Sequence, residues 1–163
     1  MSKLRLATVW LDGCSGCHMS FLDLDERLIA VADKADLVYS PLVDQKEYPP
    51  EVDIALVEGA VSSEDDLHKI QIIRQRTRTL VSLGDCAVTA NVPSMRNQFP
   101  LQMSLDRAYK ENVTLNPGTP TEVVPVDVFI PGCPPSADTI FYAVCELLEG
   151  RSPDLSALTR FGS

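Results

Sequence analysis

The chain has 163 residues, 45% of them hydrophobic and 23% charged, with 8 glycines and 12 prolines. This is the size of one domain and the composition of a globular protein with a core to bury, which excludes two large domains, a disordered chain and a collagen-like repeat. Its 23 acidic and 14 basic residues give a formal net charge of -9, the wrong sign for a nucleic-acid backbone or an anionic lipid surface, so neither is an expected partner.

The first residues, MSKLRLATVWLDG, lack the basic region, long apolar stretch and small-residue cleavage site of an export signal. No run of about 18 apolar residues follows, so no membrane span is expected and the chain reads as cytoplasmic. Residues 4–11 read as a first strand and Gly13 to Gly16 as a tight turn after it. Phe21, Leu22, Leu24, Leu28, Ile29 and Val31 recur at helical spacing and predict a helix over residues 19–34. A second strand is expected at 36–43 and a buried third at 52–57, ending at Glu58-Gly59. Ser62 to Asp66 supply capping and acidic first-turn residues for a helix over 64–75. Residues 79–83 form a fourth strand stopped by Gly84, and 123–130 a fifth, with entry after Pro125 as the alternative, stopped by Pro131-Gly132. The last helix, 137–148, has Ser136 as its N-cap and Gly150 as its stop. Between strands four and five, residues 92–122 carry Pro93, Pro100, Pro117 and Pro120 and predict a long irregular loop with at most one short helix, near 104–109.

Strands alternating with helices argue a parallel sheet covered on both faces, and the apolar run VDIALV fits burial on both sides. The expected fold is a flavodoxin-like, doubly wound α/β domain over residues 1–150, followed by a short tail, 151–163.

An odd number of cysteines, five, in a chain without an export signal argues against a disulfide framework and for metal or redox chemistry. Cys14 and Cys17 follow strand one, Cys86 follows strand four and Cys133 follows strand five. A parallel sheet brings the carboxyl ends of its strands to one edge, where open α/β sheets bind ligands. Four thiolates there can hold an iron-sulfur cluster or zinc. Ligands spread over three loops, rather than in two self-contained knuckles, favour the larger cluster. A thioredoxin-like dithiol at the CxxC is the third reading, although it has no use for Cys86 and Cys133. Cys145 falls with Phe141, Val144 and Leu148 on the last helix and reads as a small buried hydrophobe.

Taken together, Trp10-Leu11-Asp12-Gly13-Cys14-Ser15-Gly16-Cys17, Val57-Glu58-Gly59, Leu83-Gly84-Asp85-Cys86-Ala87 and Pro131-Gly132-Cys133-Pro134-Pro135 resemble the small, electron-transfer subunit of nickel-iron hydrogenases. The resemblance implies that Cys14, Cys17, Cys86 and Cys133 hold a proximal [4Fe-4S] cluster beside a nickel-iron centre on a large partner subunit. The related quinone-reductase subunit of respiratory complex I has adjacent cysteines where this chain has CSGC, which favours hydrogenase. The chain has neither the export signal nor the cluster-binding C-terminal extension of the longer relatives, so one cluster is expected. Among short types it most resembles the small subunit of the NAD-reducing bidirectional hydrogenase. That implies iron-sulfur and flavin (FMN) diaphorase subunits as further partners, passing electrons to NAD. Energy-converting hydrogenases also have short small subunits.

Glu58, at a strand end on the ligand edge, is a candidate proton relay, with hydrogen bonding to loop amides as the structural alternative. His18 is expected to pack rather than ligate, His68 to be solvated, and Trp10 to be a core or interface aromatic. Arg74, Arg76 and Arg78 read as an exposed basic patch that could serve for docking. No hydroxyl-rich phosphate loop follows strand one, so flavin is not expected on this chain itself.

Overall fold

The structure, a computed structural model, describes residues 3–109 and 116–159. Five strands, β1 (Leu4–Trp10), β2 (Ala35–Tyr39), β3 (Val52–Glu58), β4 (Thr77–Leu83) and β5 (Val128–Ile130), pair in parallel in the order β2-β1-β3-β4-β5. This is the doubly wound, flavodoxin-like order, whose topological switch point falls between β1 and β3. Register brings the last residues level: Trp10 pairs with Glu58, Glu58 with Leu83, and Leu83 with Ile130. The loops that follow therefore leave from one line of backbone.

Seven α-helices surround the sheet among the described residues: α1 (Gly16–Leu22), α2 (Arg27–Lys34), α3 (Glu64–Arg76), α4 (Asp85–Thr89), α5 (Asn91–Ser94), α6 (Leu101–Ser104) and α7 (Ala137–Leu148). Alternate residues of each strand feed two cores. Leu6, Ile54, Leu56, Val81 and Leu83 pack with Phe21, Val31, Ile140, Ala143 and Val144 from α1, α2 and α7. Ala7, Val9, Ala55, Val57 and Leu80 pack with Ile70 and Ile73 from α3. Each fully buried Leu or Ile is worth about 1.5–3 kcal/mol of transfer free energy, so both faces anchor the strand ends that carry the site.

Element ends follow side-chain chemistry. Helix α7 starts and stops as predicted: the Ser136 hydroxyl accepts from the Thr139 amide at 3.2 Å, and Gly150 turns the chain at φ 74. Helix α3 begins in a reciprocal Ser63–Asp66 capping box and runs one residue beyond the prediction. The expected single helix over 19–34 is instead α1 and α2, because the acidic stretch Asp23-Leu24-Asp25-Glu26 turns at Asp25 (φ 50) and places Leu24 in the core. Strand β2 ends at Tyr39, and Leu42 is exposed. The fifth strand begins later than either Val123 or the entry after Pro125: the Asp127 carboxylate takes the Leu80 amide at 2.7 Å where a strand carbonyl would, so the ladder starts at Val128. Before it, Pro120–Glu122 forms a 3-10 turn. The described part of 92–122 is also more ordered than expected. It holds a 3-10 turn, Met95–Gln98, then α6 and one π-helical turn, Leu105–Tyr109, while 110–115 fall outside the described residues. No helix among the described residues is long and apolar enough to cross a membrane.

Candidate functional site

Four loops at the carboxyl edge are stitched to one another. After β1, Asp12 bridges to Ala60 after β3 through a pair of main-chain bonds of 3.0 and 2.7 Å. After β4, the Asp85 amide donates to the Gly132 carbonyl at 2.8 Å, and the Asp85 carboxylate accepts from the Gly132 amide at 2.7 Å. The Ser20 hydroxyl of α1 donates to the Pro135 carbonyl at 2.5 Å. Ser15 (φ 65) turns the chain into α1, whose first turn carries Cys17, and the first turn of α4 carries Cys86.

This framework brings together all four cysteines expected there. Cys14, Cys17, Cys86 and Cys133 line one cavity of about 100 Å³ with Glu58 and Asp85. Cys14 and Cys133 are exposed, Cys17 and Cys86 half-buried. Close approach depends on glycine at two points. A Cβ on Gly84 (φ +81) would stand 2.2 Å from the Cys17 sulfur, and one on Gly132 (φ +137) 2.6 Å from the Pro135 backbone.

Burial, then the charge and hydrogen bond of Glu58, then Cys86 and Cys14, push the Cys17 thiol far above its ordinary range. Burial, then Cys133 and Cys14, raise Cys86 as well. The sulfurs are thus near enough to oppose one another's ionisation, and a thiolate set needs a cationic group among them. Among the described residues no three His, Cys, Asp or Glu side chains are gathered tightly enough for a single metal ion. The four cysteines ring a space of about 100 Å³, well above the roughly 10–15 Å³ that one water needs. Four thiol sulfurs around a space of that size suit a multi-atom iron-sulfur cluster.

Glu58 is 2% exposed, and its Oε2 accepts the His18 main-chain amide at 2.9 Å. Its Oε1 stands 3.2 Å from His18 Nδ1. The carboxylate therefore holds the start of α1, and with it Cys17, as the hydrogen-bonding alternative expected. His18 is buried and lines no part of the cysteine cavity. His68 is exposed. Trp10 is 45% exposed and lies outside both cores, so it is not the core aromatic that was one of its expected readings.

The Arg74, Arg76 and Arg78 patch is exposed at Arg76 and Arg78, as expected, and it also ties the fold: Arg74 reaches Asp127 at 2.6 Å and the Thr77 carbonyl at 2.6 Å, Arg76 reaches the Tyr48 carbonyl at 2.5 Å, and Arg78 lies 3.8 Å from Asp53. One expectation is corrected. Cys145 is only half-buried, at the edge of α7 rather than in the core, because its position faces the Lys34 end of α2. Asp85 and Ser20 act as loop ties that sequence reasoning did not find. Gly-Asp-Cys at a helix start is the available signal for Asp85; nothing local marks Ser20, whose acceptor is 115 residues away.

The chain matches the family model described as NADH ubiquinone oxidoreductase, 20 Kd subunit, over residues 14–147. It is 40% identical to the delta subunit of the NAD-reducing hydrogenase HoxS of Cupriavidus necator, over 98% of this chain and 86% of that one. It is 35% identical to a subunit of the F420-non-reducing hydrogenase vhu of Methanocaldococcus jannaschii, over 93% of this chain but only 58% of that relative's length. A crystal structure of an NAD+-reducing [NiFe]-hydrogenase in the H2-reduced state contains a chain that superimposes with a TM-score of 0.91 at 34% identity, covering 98% of this chain and 99% of that one. The [NiFeSe] hydrogenase of Desulfovibrio vulgaris Hildenborough shares the fold, with a TM-score of 0.65 at 17% identity over 91% of this chain and 60% of that one.

Proposed function

This chain belongs to the NADH ubiquinone oxidoreductase 20 kDa subunit family, as a hydrogenase subunit of the nickel-iron type, and we propose that it is the electron-transfer subunit, with one [4Fe-4S] cluster. The observation that carries the reading is the meeting of Cys14, Cys17, Cys86 and Cys133 around one cavity at the ligand edge of the sheet. These four residues would hold the cluster. Bound there, it supplies one-electron exchange at a potential set by hydrogen bonds, charge and exposure.

The chain's own residues prepare that site. Cys17 and Cys86 present their sulfurs from the first turns of α1 and α4, while Cys14 and Cys133 come from the loops beside them. Glu58 fixes the α1 end through the His18 amide. Asp85 fixes the Cys133 loop through Gly132. Cys14 and Cys133 are exposed in the chain by itself, and a second cavity of about 420 Å³ opens beside them, rimmed by Val92 and Met95, which are 61% and 60% exposed. An apolar rim beside a redox site is the surface of a subunit that works covered. The partner in this reading is the hydrogenase large subunit, which carries the nickel-iron centre and splits hydrogen.

Likeness to subunits of NAD-reducing hydrogenases supports NAD as the final acceptor, reached through iron-sulfur and flavin diaphorase subunits in the cytoplasm. Likeness to the F420-non-reducing type supports a different acceptor. Purification of the native complex separates these. Co-purification with a nickel-containing large subunit and hydrogen-dependent reduction of NAD is the expected result. Hydrogen-dependent reduction of a viologen dye without NAD reduction would keep the subunit assignment and remove the diaphorase. A chain that purifies with no nickel-containing partner would overturn the hydrogenase reading.

A further inference from the structure

The turn after α4 contains two consecutive residues at positive φ, neither of them glycine: Ala90 at 58° and Asn91 at 20°. Such conformations cost on the order of 1 kcal/mol or more each and persist where the surroundings hold them. Here the Ala90 carbonyl accepts from the Ser94 amide at 3.0 Å, and the Ser94 hydroxyl donates to the Asn91 carbonyl at 2.8 Å. Farther along, the Asn97 side-chain amide donates to the Pro117 carbonyl at 2.9 Å.

What the turn achieves is visible at its tip. The Asn91 side-chain amide lies 3.5 Å from the Cys133 sulfur, and the main-chain amide of the next residue, Val92, offsets part of the rise that burial imposes on the Cys86 thiol. One strained turn therefore points an N–H donor, carried after the Cys86 helix, at a cysteine that comes from the loop after β5. A thiolate sulfur accepts hydrogen bonds and cannot donate, so the Asn91 NH2, rather than its carbonyl oxygen, must face Cys133.

Resting on the cluster reading above, we infer that Asn91 is a residue that sets the cluster's reduction potential, by donating a hydrogen bond to the Cys133 ligand. Reduction adds negative charge to the cluster and its sulfurs. A donor to a ligand sulfur stabilises the more negative, reduced form more than the oxidised one, and so raises the potential.

The test is an EPR-monitored redox titration of the intact complex, with iron and acid-labile sulfide measured on the same samples. The signal belonging to this chain is identified by its alteration in Cys133→Ser. Asn91→Gly removes the donor while tolerating the backbone conformation, and Asn91→Asp keeps the shape but replaces the donor by a carboxylate. The expected order of potentials is wild type above Asn91→Gly above Asn91→Asp, at unchanged iron and sulfide. The first step should lower the ratio of reduced to oxidised cluster at fixed potential by about threefold to tenfold, up to about 59 mV for one electron. A merely structural role would change cluster content and leave the potential of the remaining clusters alone. Equal potentials in all three proteins overturn the inference. Iron, acid-labile sulfide and EPR signals that are the same in wild type and Cys133→Ser overturn the cluster reading beneath it.

Discussion

The two edges of the sheet use their chemically able side chains in opposite ways. At the amino edge Arg74, Arg76, Tyr48, Thr77 and Asp127 are spent on one another: Arg74 makes four hydrogen bonds, to Pro125, Asp127, Thr77 and Arg78, and the Tyr48 hydroxyl lies 2.6 Å from that of Thr77. At the carboxyl edge Glu58, Asp85 and Ser20 tie loops together, and the four cysteines are left over, facing a cavity. A cluster of functional groups becomes a site when the scaffold satisfies everything around it and leaves the key groups unspent. The arginine patch looks active in sequence because its partners are invisible there.

The largest effect that sharpens this contrast is on the cysteines. Cys14→Ser, Cys17→Ser, Cys86→Ser and Cys133→Ser should each lose most of the iron and acid-labile sulfide, read by metal and sulfide assay. Full iron in any one of them removes that residue from the ligand set. Next comes Glu58, the tie that also borders the cavity. Glu58→Ala leaves the His18 amide without its acceptor and opens a hole, at a cost of about 2–4 kcal/mol in denaturant unfolding. Glu58→Gln keeps an acceptor oxygen and should cost less than about 1 kcal/mol. Equal losses in the two would mean that the charge, not the hydrogen bond, holds α1.

At the opposite edge, Arg74→Ala should destabilise the fold by about 1–2 kcal/mol, a figure kept low because Asp127 is partly exposed. Iron content per folded chain should stay at the wild-type level. A loss of iron there would erase the difference between the two edges. The smallest effect is expected at Cys145→Ala: within about 0.5 kcal/mol of wild type, since the side chain is half-buried at the edge of α7, and with no change in iron.

What sequence disclosed and what it hid follow from the range of the interactions. The strand ends were legible because Gly59, Gly84 and Gly132 stop apolar runs, and a parallel sheet then brings the cysteine loops together whatever their separation in sequence. Helix α7 was legible because both of its signals, Ser136 and Gly150, are local. The break between α1 and α2 was hidden because Leu24 continues the helical period while packing from a turn. The shortness of β5 was hidden because Asp127 substitutes a side chain for a strand carbonyl. Asn91 was hidden for two reasons: it lies in a stretch without hydrophobic period, and Ala90, which begins the left-handed turn, does not announce it as a glycine would have.

The contrast between spent and unspent groups rests finally on what the four cysteines hold. Metal and sulfide analysis of the wild-type protein, set against the same preparation of Cys86→Ser, tests this most directly. A difference of about four irons and four acid-labile sulfides per chain, with loss of an EPR signal from the reduced protein, is the predicted result for one [4Fe-4S] cluster. Zinc without sulfide, or a metal-free protein with an oxidisable Cys14–Cys17 pair, would contradict it.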